Sequence, residues 1–321
     1  MDLIADIGAS WTRCAHLDDQ GRVQAPEVYR NADFSGVDSV LQRYLAHRAE
    51  HVRPRRAALA VAAPILSDDV QMVNIDWGFS QAALGERFEL AQLTVVNDFA
   101  AIAWGLATFT AVDLQQVGGG APVPRTPLTV LGPGSGLGMA TLVPGEAGWA
   151  VASGEGGNAS VAPSTPEEWA VAEFVRAQHG HCSAENLLSG PGLVTVYRAL
   201  AKIRNRPVAA QISAAQISAA AAAGDPLASG AQDMFFEVLG STAGNLALTV
   251  GATGGVFIAG GIIPRLLEPF LKSRFRARFE AKGRYRGYLE AIPTYVITDP
   301  LPAFHGLRNL LGYPSARSGE T

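Results

Sequence analysis

Residues 128–157, LTVLGPGSGLGMATLVPGEAGWAVASGEGG, read as strand, glycine/serine turn, strand, turn, strand, and the first thirty residues repeat that layout in different letters. At the amino end, strands are expected at 2–8, 11–18 and 22–29, with DDQG at 18–21 as the second turn. A chain that opens each half with such a meander is expected to form two equivalent halves, which would place their small first turns facing each other across a cleft. Apolar runs at 56–65 and 93–98 suit buried strands of a mixed or parallel sheet. The 321 residues suffice for one large or two modest domains.

Helices are expected between and after these strands. From Asp33 to Val52, the spacing of Val37, Val40, Leu41, Tyr44 and Leu45 is that of an amphipathic helix. Thr165 caps a second helix with Pro166 in its first turn, Glu167 and Glu168 at the positive end and Gly180 at its close. The stretch 209–224, AAQISAAQISAAAAAG, has the propensity of a surface helix. Asp225 and Pro226 open another, running towards Val250; GGVFIAGGI at 254–262 is a buried strand ending in paired glycines, TYVITD at 294–299 is the last strand, and PSARSGET frays.

Composition narrows the function. A formal charge of −4 offers no basic field for nucleic acid. No apolar stretch reaches the roughly 18–20 residues that cross a bilayer, and the amino end lacks a positive leader, so a cytoplasmic protein is expected. Cys14 and Cys182 have no metal spacing and read as buried thiols. The pair His47 and His51 and the cluster His179, His181 and Cys182 lack further ligands nearby and read as solvated surface. Lysine occurs only at 202, 272 and 282, which excludes a lysine-based phosphate loop.

Five motifs carry chemistry. GPGSGLG at 132–138 is followed by MATLV, a strand and not the helix a dinucleotide fingerprint needs. It is either an ordinary hairpin or one whose amides form a nest for phosphate, with Ser135 as a further donor. In DIGASWTR at 6–13, Asp6 either bonds its own turn or holds Mg²⁺ through its water shell. In VVNDF, Asn97 and Asp98 either cap the next helix or act as a sugar-binding amide and a general base for a hydroxyl. Glu155, flanked by glycines, reads as a ligand contact, whereas Glu185, taken as a first-turn helix residue, is explained equally by the helix dipole.

The ordered set DxGxS, NDF, GxGSGLG, GEGG, SAExxLSGPGL and VFIAGGI resembles the bacterial glucokinases, the non-zinc branch of the hexokinase and actin superfamily, from Met1 to about Leu311. The resemblance implies an α/β protein with a two-domain actin-like, ribonuclease H-like ATPase fold, mixed sheets and a sugar-binding interdomain cleft. It implies a small domain of 1–108 plus 299–321 and a large one of 109–298. The implied reaction is ATP-dependent phosphorylation of glucose to glucose 6-phosphate with Mg²⁺, water being excluded by domain closure. By the same resemblance, Asp98 is the catalytic base, and Asn97, Asp98, Glu155, Asn158 and Glu185 bind the sugar. Asp6 positions Mg²⁺ through water. Gly8, Ala9 and Ser10, with Gly134, Ser135 and Gly136, cradle phosphates, and Gly260 and Gly261 lie against the nucleotide. Implied partners are glucose and ATP, with no nucleic acid and no membrane; a homodimer is compatible with it.

Three departures bear on these implications. Ala9 and Trp11 stand in a turn the family writes DxGGTNxR, Asn158 replaces the histidine of GEGGH, and PAFHGLRNLL is less glycine-rich than the family's last segment. They leave two alternatives: a glucokinase-like sugar-binding or regulatory protein with weak or no turnover, and a kinase for another hexose.

Overall fold

The computed structural model describes residues 1–47, 53–146 and 148–313. Its elements run β1 (Asp2–Ile7), β2 (Trp11–Leu17), β3 (Val23–Arg30), α1 (Val37–Ala46), β4 (Arg56–Val61), β5 (Asp69–Gln71), β6 (Gly78–Ser80), α2 (Gln81–Arg87), β7 (Gln92–Asn97) and α3 (Asp98–Gly105). Four strands follow, β8 (Leu114–Val117), β9 (Leu128–Pro133), β10 (Leu137–Gly145) and β11 (Gly148–Gly154). Next come α4 (Pro166–His179), α5 (Gly190–Ile203), α6 (Ala214–Ala222), α7 (Pro226–Val250) and β12 (Gly255–Ile258). The chain continues through α8 (Leu267–Leu271), α9 (Phe275–Glu280), α10 (Arg286–Glu290), β13 (Thr294–Ile297) and α11 (Pro302–Leu310).

The two main sheets share one topology. The first has the order β3-β2-β1-β4-β7 and the second β11-β10-β9-β12-β13, with β8 added at its far edge. In the first, β2 is antiparallel to β1, whereas β4 and β7 run parallel to it. In the second, β12 is parallel to β9 and β13, and β8 is antiparallel. The repeat read from the two meanders is therefore a repeat of strand order. The chain divides into two compact units: 1–113, 140–154 and the segment from Asp299 form one, 114–139 and 155–298 the other.

Each unit has its own core. In the first, Leu3, Ile7 and Leu59 of the sheet pack with Leu41 and Tyr44 of α1 and with Trp77. In the second, Phe235, Phe236, Phe270, Phe275 and Phe279 are all essentially inaccessible. Each large side chain so buried contributes about 1.5–3 kcal/mol.

Three expectations about helices are corrected. The helix expected from Asp33 begins at Val37, because Asn31–Asp33 form a 3₁₀ turn and Ser39 Oγ engages both the amide and the carbonyl of Gly36. The helix expected at 209–224 begins at Ala214, where Ser213 and Gln216 form a reciprocal cap, and it is not purely a surface helix, since Ile217 is wholly buried. Glu185 lies in a turn five residues ahead of α5, so the helix dipole does not account for it. The helix end at 48–52 with His51, and the tail PSARSGET, lie outside the described residues.

α3 and α11 meet through missing side chains. A Cβ on Gly306 would lie 1.7 Å from the Ala101 carbonyl oxygen, and one on Gly105 would lie 2.7 Å from the His305 Cβ. Asn309 Nδ2 donates to the Trp104 carbonyl at 2.8 Å. This close approach fixes α3, whose first residue is Asp98.

Candidate active site

In the first unit, sheet register aligns the candidate residues. Ile7 pairs with Val61, and Val61 with Asn97, so the β1–β2 turn and the start of α3 leave the same carboxyl edge of the sheet, two strands apart, roughly 10 Å. That edge is where open α/β sheets bind ligands. Asn97 caps α3: its Oδ1 accepts from the amides of Phe99 at 3.0 Å and Ala100 at 3.2 Å, and its Nδ2 donates to the Ala63 carbonyl at 3.3 Å. The Phe99 amide also donates to Asp98 Oδ1 at 2.9 Å, which orients that half-buried carboxylate.

Asp6 faces Arg13 across the β1–β2 pair, and Arg13 donates to its Oδ2 at 3.1 Å. Burial pushes the Asp6 carboxyl above the ordinary carboxylate value, and the Arg13 guanidinium opposes that shift. The turn between them is braced by Asn31, which is buried and which the sequence reading missed. Asn31 Nδ2 donates to the Gly8 carbonyl at 2.8 Å, its backbone amide donates to Ser10 at 3.0 Å, and its Oδ1 accepts from Thr12 Oγ1 at 2.8 Å. Because the peptide is planar and trans, holding the Gly8 carbonyl against Asn31 turns the Ala9 N–H away from it. Ala9 does not adopt left-handed backbone, so its methyl introduces no strain, and Trp11 is 49% exposed. The signal for Asn31 was an asparagine directly after the third strand, in YRNAD.

In the second unit, Gly134, Ser135 and Gly136 form the tip between β9 and β10, closed by the Gly134 amide donating to the Gly136 carbonyl at 2.8 Å. Ser135 is exposed, and the space beside Gly134 is open. The Gly190 amide, at the start of α5, donates to the Gly134 carbonyl at 2.8 Å. Gly260 has φ +85°, and a Cβ there would lie 2.4 Å from the Pro133 carbonyl oxygen. The paired glycines after β12 thus sit against the stem of the hairpin, with Gly261 exposed beyond.

Glu155 and Asn158 are exposed at either end of a single 3₁₀ turn, closed by the Asn158 amide donating to the Glu155 carbonyl at 3.0 Å. Gly157 in that turn admits no side chain, since a Cβ would lie 2.0 Å from the Leu137 carbonyl oxygen. The Glu185 amide donates to the Gly157 carbonyl at 2.8 Å, and its carboxylate Oε2 accepts the Leu137 amide at 2.7 Å. The second unit therefore brings Gly134–Gly136, Gly260, the 155–158 turn and Glu185 together. His47, His179 and His181 are exposed, and both cysteines are buried, Cys182 with its thiol pushed up by burial. No helix among the described residues is long and apolar enough to cross a membrane.

Two sheets of one strand order, each with a small turn between its first two strands, define the class: a mixed α/β chain of the actin-like ATPase fold found in sugar kinases. The sequence model of the family described as Glucokinase matches residues 3–312. The glucokinase of Paramagnetospirillum magneticum is 42% identical over 315 residues, covering 98% of each chain. The bifunctional protein glk of Paraburkholderia xenovorans is 42% identical over 309 residues, 96% of this chain but 48% of that one, so the chain spans about half the length of such bifunctional relatives. The crystal structure of a glucokinase from an Antarctic psychrotroph superposes with a TM-score of 0.86 at 34% identity, covering 97% of this chain and 98% of that one. The chain belongs to the glucokinase family.

Proposed function

We propose that this chain transfers the γ-phosphoryl group of ATP to the 6-hydroxyl of glucose. The observation that carries the reading is the placement of Asn97 and Asp98 at the carboxyl edge of the first sheet, in register with the strand that ends at the Asp6 turn. Asp98 accepts the proton of the 6-hydroxyl as its oxygen attacks the γ-phosphorus; the new P–O bond forms as the bond to the β-phosphate oxygen breaks, and ADP leaves. Asn97, Glu155, Asn158 and Glu185 orient the sugar hydroxyls, and Asn158 supplies a neutral donor and acceptor there.

The phosphate partners are amides. The remaining amides of the Gly134–Gly136 tip, open beside Gly134, and of the Gly8–Ser10 turn, where the Ala9 N–H faces away from Asn31, offer donors to phosphate oxygens, and Gly260 and Gly261 form the backbone surface for the nucleotide. Asp6 fits hydrated Mg²⁺, because Arg13 engages only one of its oxygens and the charge of the ion would favour the ionised carboxylate that burial disfavours. When bound, Mg²⁺ supplies charge neutralisation on the phosphates. The reaction belongs to the cytoplasm, where ATP is held.

The test is a coupled assay with Mg²⁺-ATP and a panel of hexoses. Glucose 6-phosphate forms with the wild type, and Asp98→Ala lowers kcat by roughly 10²–10⁴-fold. Equal turnover of the two proteins removes Asp98 from the reaction, and preference for another hexose removes glucose.

A further inference from the structure

Glu185 is tied to the second unit at four points. Its amide donates to Gly157 in the Glu155–Asn158 turn, and its carboxylate receives the Leu137 amide directly after the glycine tip. Its carbonyl accepts from Ser189 Oγ at 3.0 Å, and Ser189 caps α5, whose first amide, that of Gly190, donates to Gly134 on the other side of the same tip. Finally, a Cβ on Gly136 would lie 2.5 Å from Glu185 Oε2, so the carboxylate rests directly on the tip. The Gly134–Gly136 hairpin is thus held from both flanks by one short segment, 185–190, that is also bonded to the sugar turn.

We propose that Glu185 is a positioning residue for the phosphate hairpin and couples it to the sugar turn, so that the affinities for nucleotide and sugar are linked through its carboxylate. The inference rests on the functional reading above, in which the hairpin receives phosphate and Glu185 receives a sugar hydroxyl. The Leu137 peptide follows the Gly136 carbonyl, which accepts the Gly134 amide, so the Glu185 bond fixes the plane of the peptide that closes the tip. A carboxylate acceptor makes this bond a charge-assisted one. Linkage is reciprocal between the ligands: bound sugar tightens the nucleotide by the same factor as bound nucleotide tightens the sugar.

The experiment measures nucleotide first without sugar and then with it, by calorimetry on the full chain. Wild type, Glu185→Ala and Glu185→Gln are titrated with Mg²⁺ and a non-hydrolysable ATP analogue in the absence of sugar. Glu185→Ala is expected to lose about 5-fold or more in nucleotide affinity, the lower end of ordinary coupling. Glu185→Gln, whose amide oxygen still accepts from Leu137 but without the charge, loses less than Glu185→Ala. A residue that only contacts sugar leaves nucleotide affinity in sugar-free protein unchanged, and that result overturns the proposal, as does equal loss in the two variants.

Gly136→Ala displaces the carboxylate from the tip and does not depend on Glu185→Ala folding. The group its methyl meets is the end of a flexible side chain, so the carboxylate yields while the hairpin stays. Nucleotide affinity without glucose is expected to fall in it as in Glu185→Ala, and the coupling itself is read in the wild type, whose nucleotide affinity is expected to rise about 5-fold or more with saturating glucose; an unchanged value overturns it. If the wild type binds neither ligand, the functional reading fails and this proposal with it; if it binds both and the variants behave as wild type, only the proposal fails.

Discussion

Asn97 uses one amide group for two purposes. Its oxygen caps α3 through the Phe99 and Ala100 amides, while its nitrogen holds the Ala63 carbonyl beyond β4. Asn97→Ala is expected to cost about 1 kcal/mol through the lost cap, read from chemical denaturation. Asn97→Asp keeps the cap acceptor and recovers most of that stability, yet lacks the amide donor. Of the two readings of VVNDF the capping one is observed, and that cap holds Asp98 at the sheet edge, where the proposed role needs it. The bracing of the DIGASWTR turn was not legible to the same degree, since Asn31 acts from 23 residues beyond Gly8 and no local spacing reports it.

Asp299 shows another long-range arrangement of single residues. Its Oδ2 lies 2.8 Å from His305 Nε2, and candidate ligand atoms of Asp113, Asp299 and His305 all lie within 4.8 Å of one another. The bond with His305, aided by the Leu301 amide, holds the Asp299 carboxyl below its ordinary value of 3.8. A carboxylate with a depressed folded-state value contributes stability that is present above the unfolded value and is lost as pH falls through the folded one. Asp299→Asn is therefore expected to be less stable than wild type near neutrality, by about 1.5–3 kcal/mol if the bond is charge-assisted. The gap closes as pH falls below the ordinary carboxylate value and through the lower folded-state one, followed by urea unfolding at each pH.

Among the elements, those governed by local chemistry were the most legible. The caps at Thr165 and Asp225, with proline in the following turn and left-handed glycine at 180 and 251, place α4 and α7 as the sequence implied. The meander at 128–157 was equally plain, because glycine, serine and alternating apolar residues leave few other structures. The start of α6 was misread because a run of alanine and serine has helical propensity on both sides of its cap. The packing of α11 on α3 was invisible, since nothing local marks Gly306 as the point where another backbone comes close. Gly306→Ala places its methyl against the Ala101 carbonyl and must push the two helices apart. The expected cost is about 1–3 kcal/mol, measured by denaturation. Because α3 carries Asp98, kcat is expected to fall as well, while Gly287→Ala, where a Cβ meets nothing within 4 Å, serves as the control.

At the scale of the whole molecule, each compact unit has its own hydrophobic core, and the chain passes between the units more than twice. Two bodies of this kind need not unfold together, and differential scanning calorimetry distinguishes one transition from two. Glucose binds only folded protein, so at 100 times its Kd it is expected to stabilise the unit that binds it by about 2.7 kcal/mol. A transition indifferent to glucose up to that concentration would show that the sugar site is not formed. The two-fold repeat of architecture was visible from the two meanders alone. The chain's return into the first unit at 140–154 was not, because strand periodicity gives no sign of which body a strand joins.

The pairing of α3 with α11 also has a consequence for biosynthesis. On the ribosome, α11 is made roughly 200 residues after α3, which at about 5–20 residues per second is a delay of about 10–40 s. Throughout that interval the helix carrying Asp98 exists without the surface it packs against. A nascent chain halted before Pro302 would hold every proposed site residue, yet α3 would still lack its packing partner.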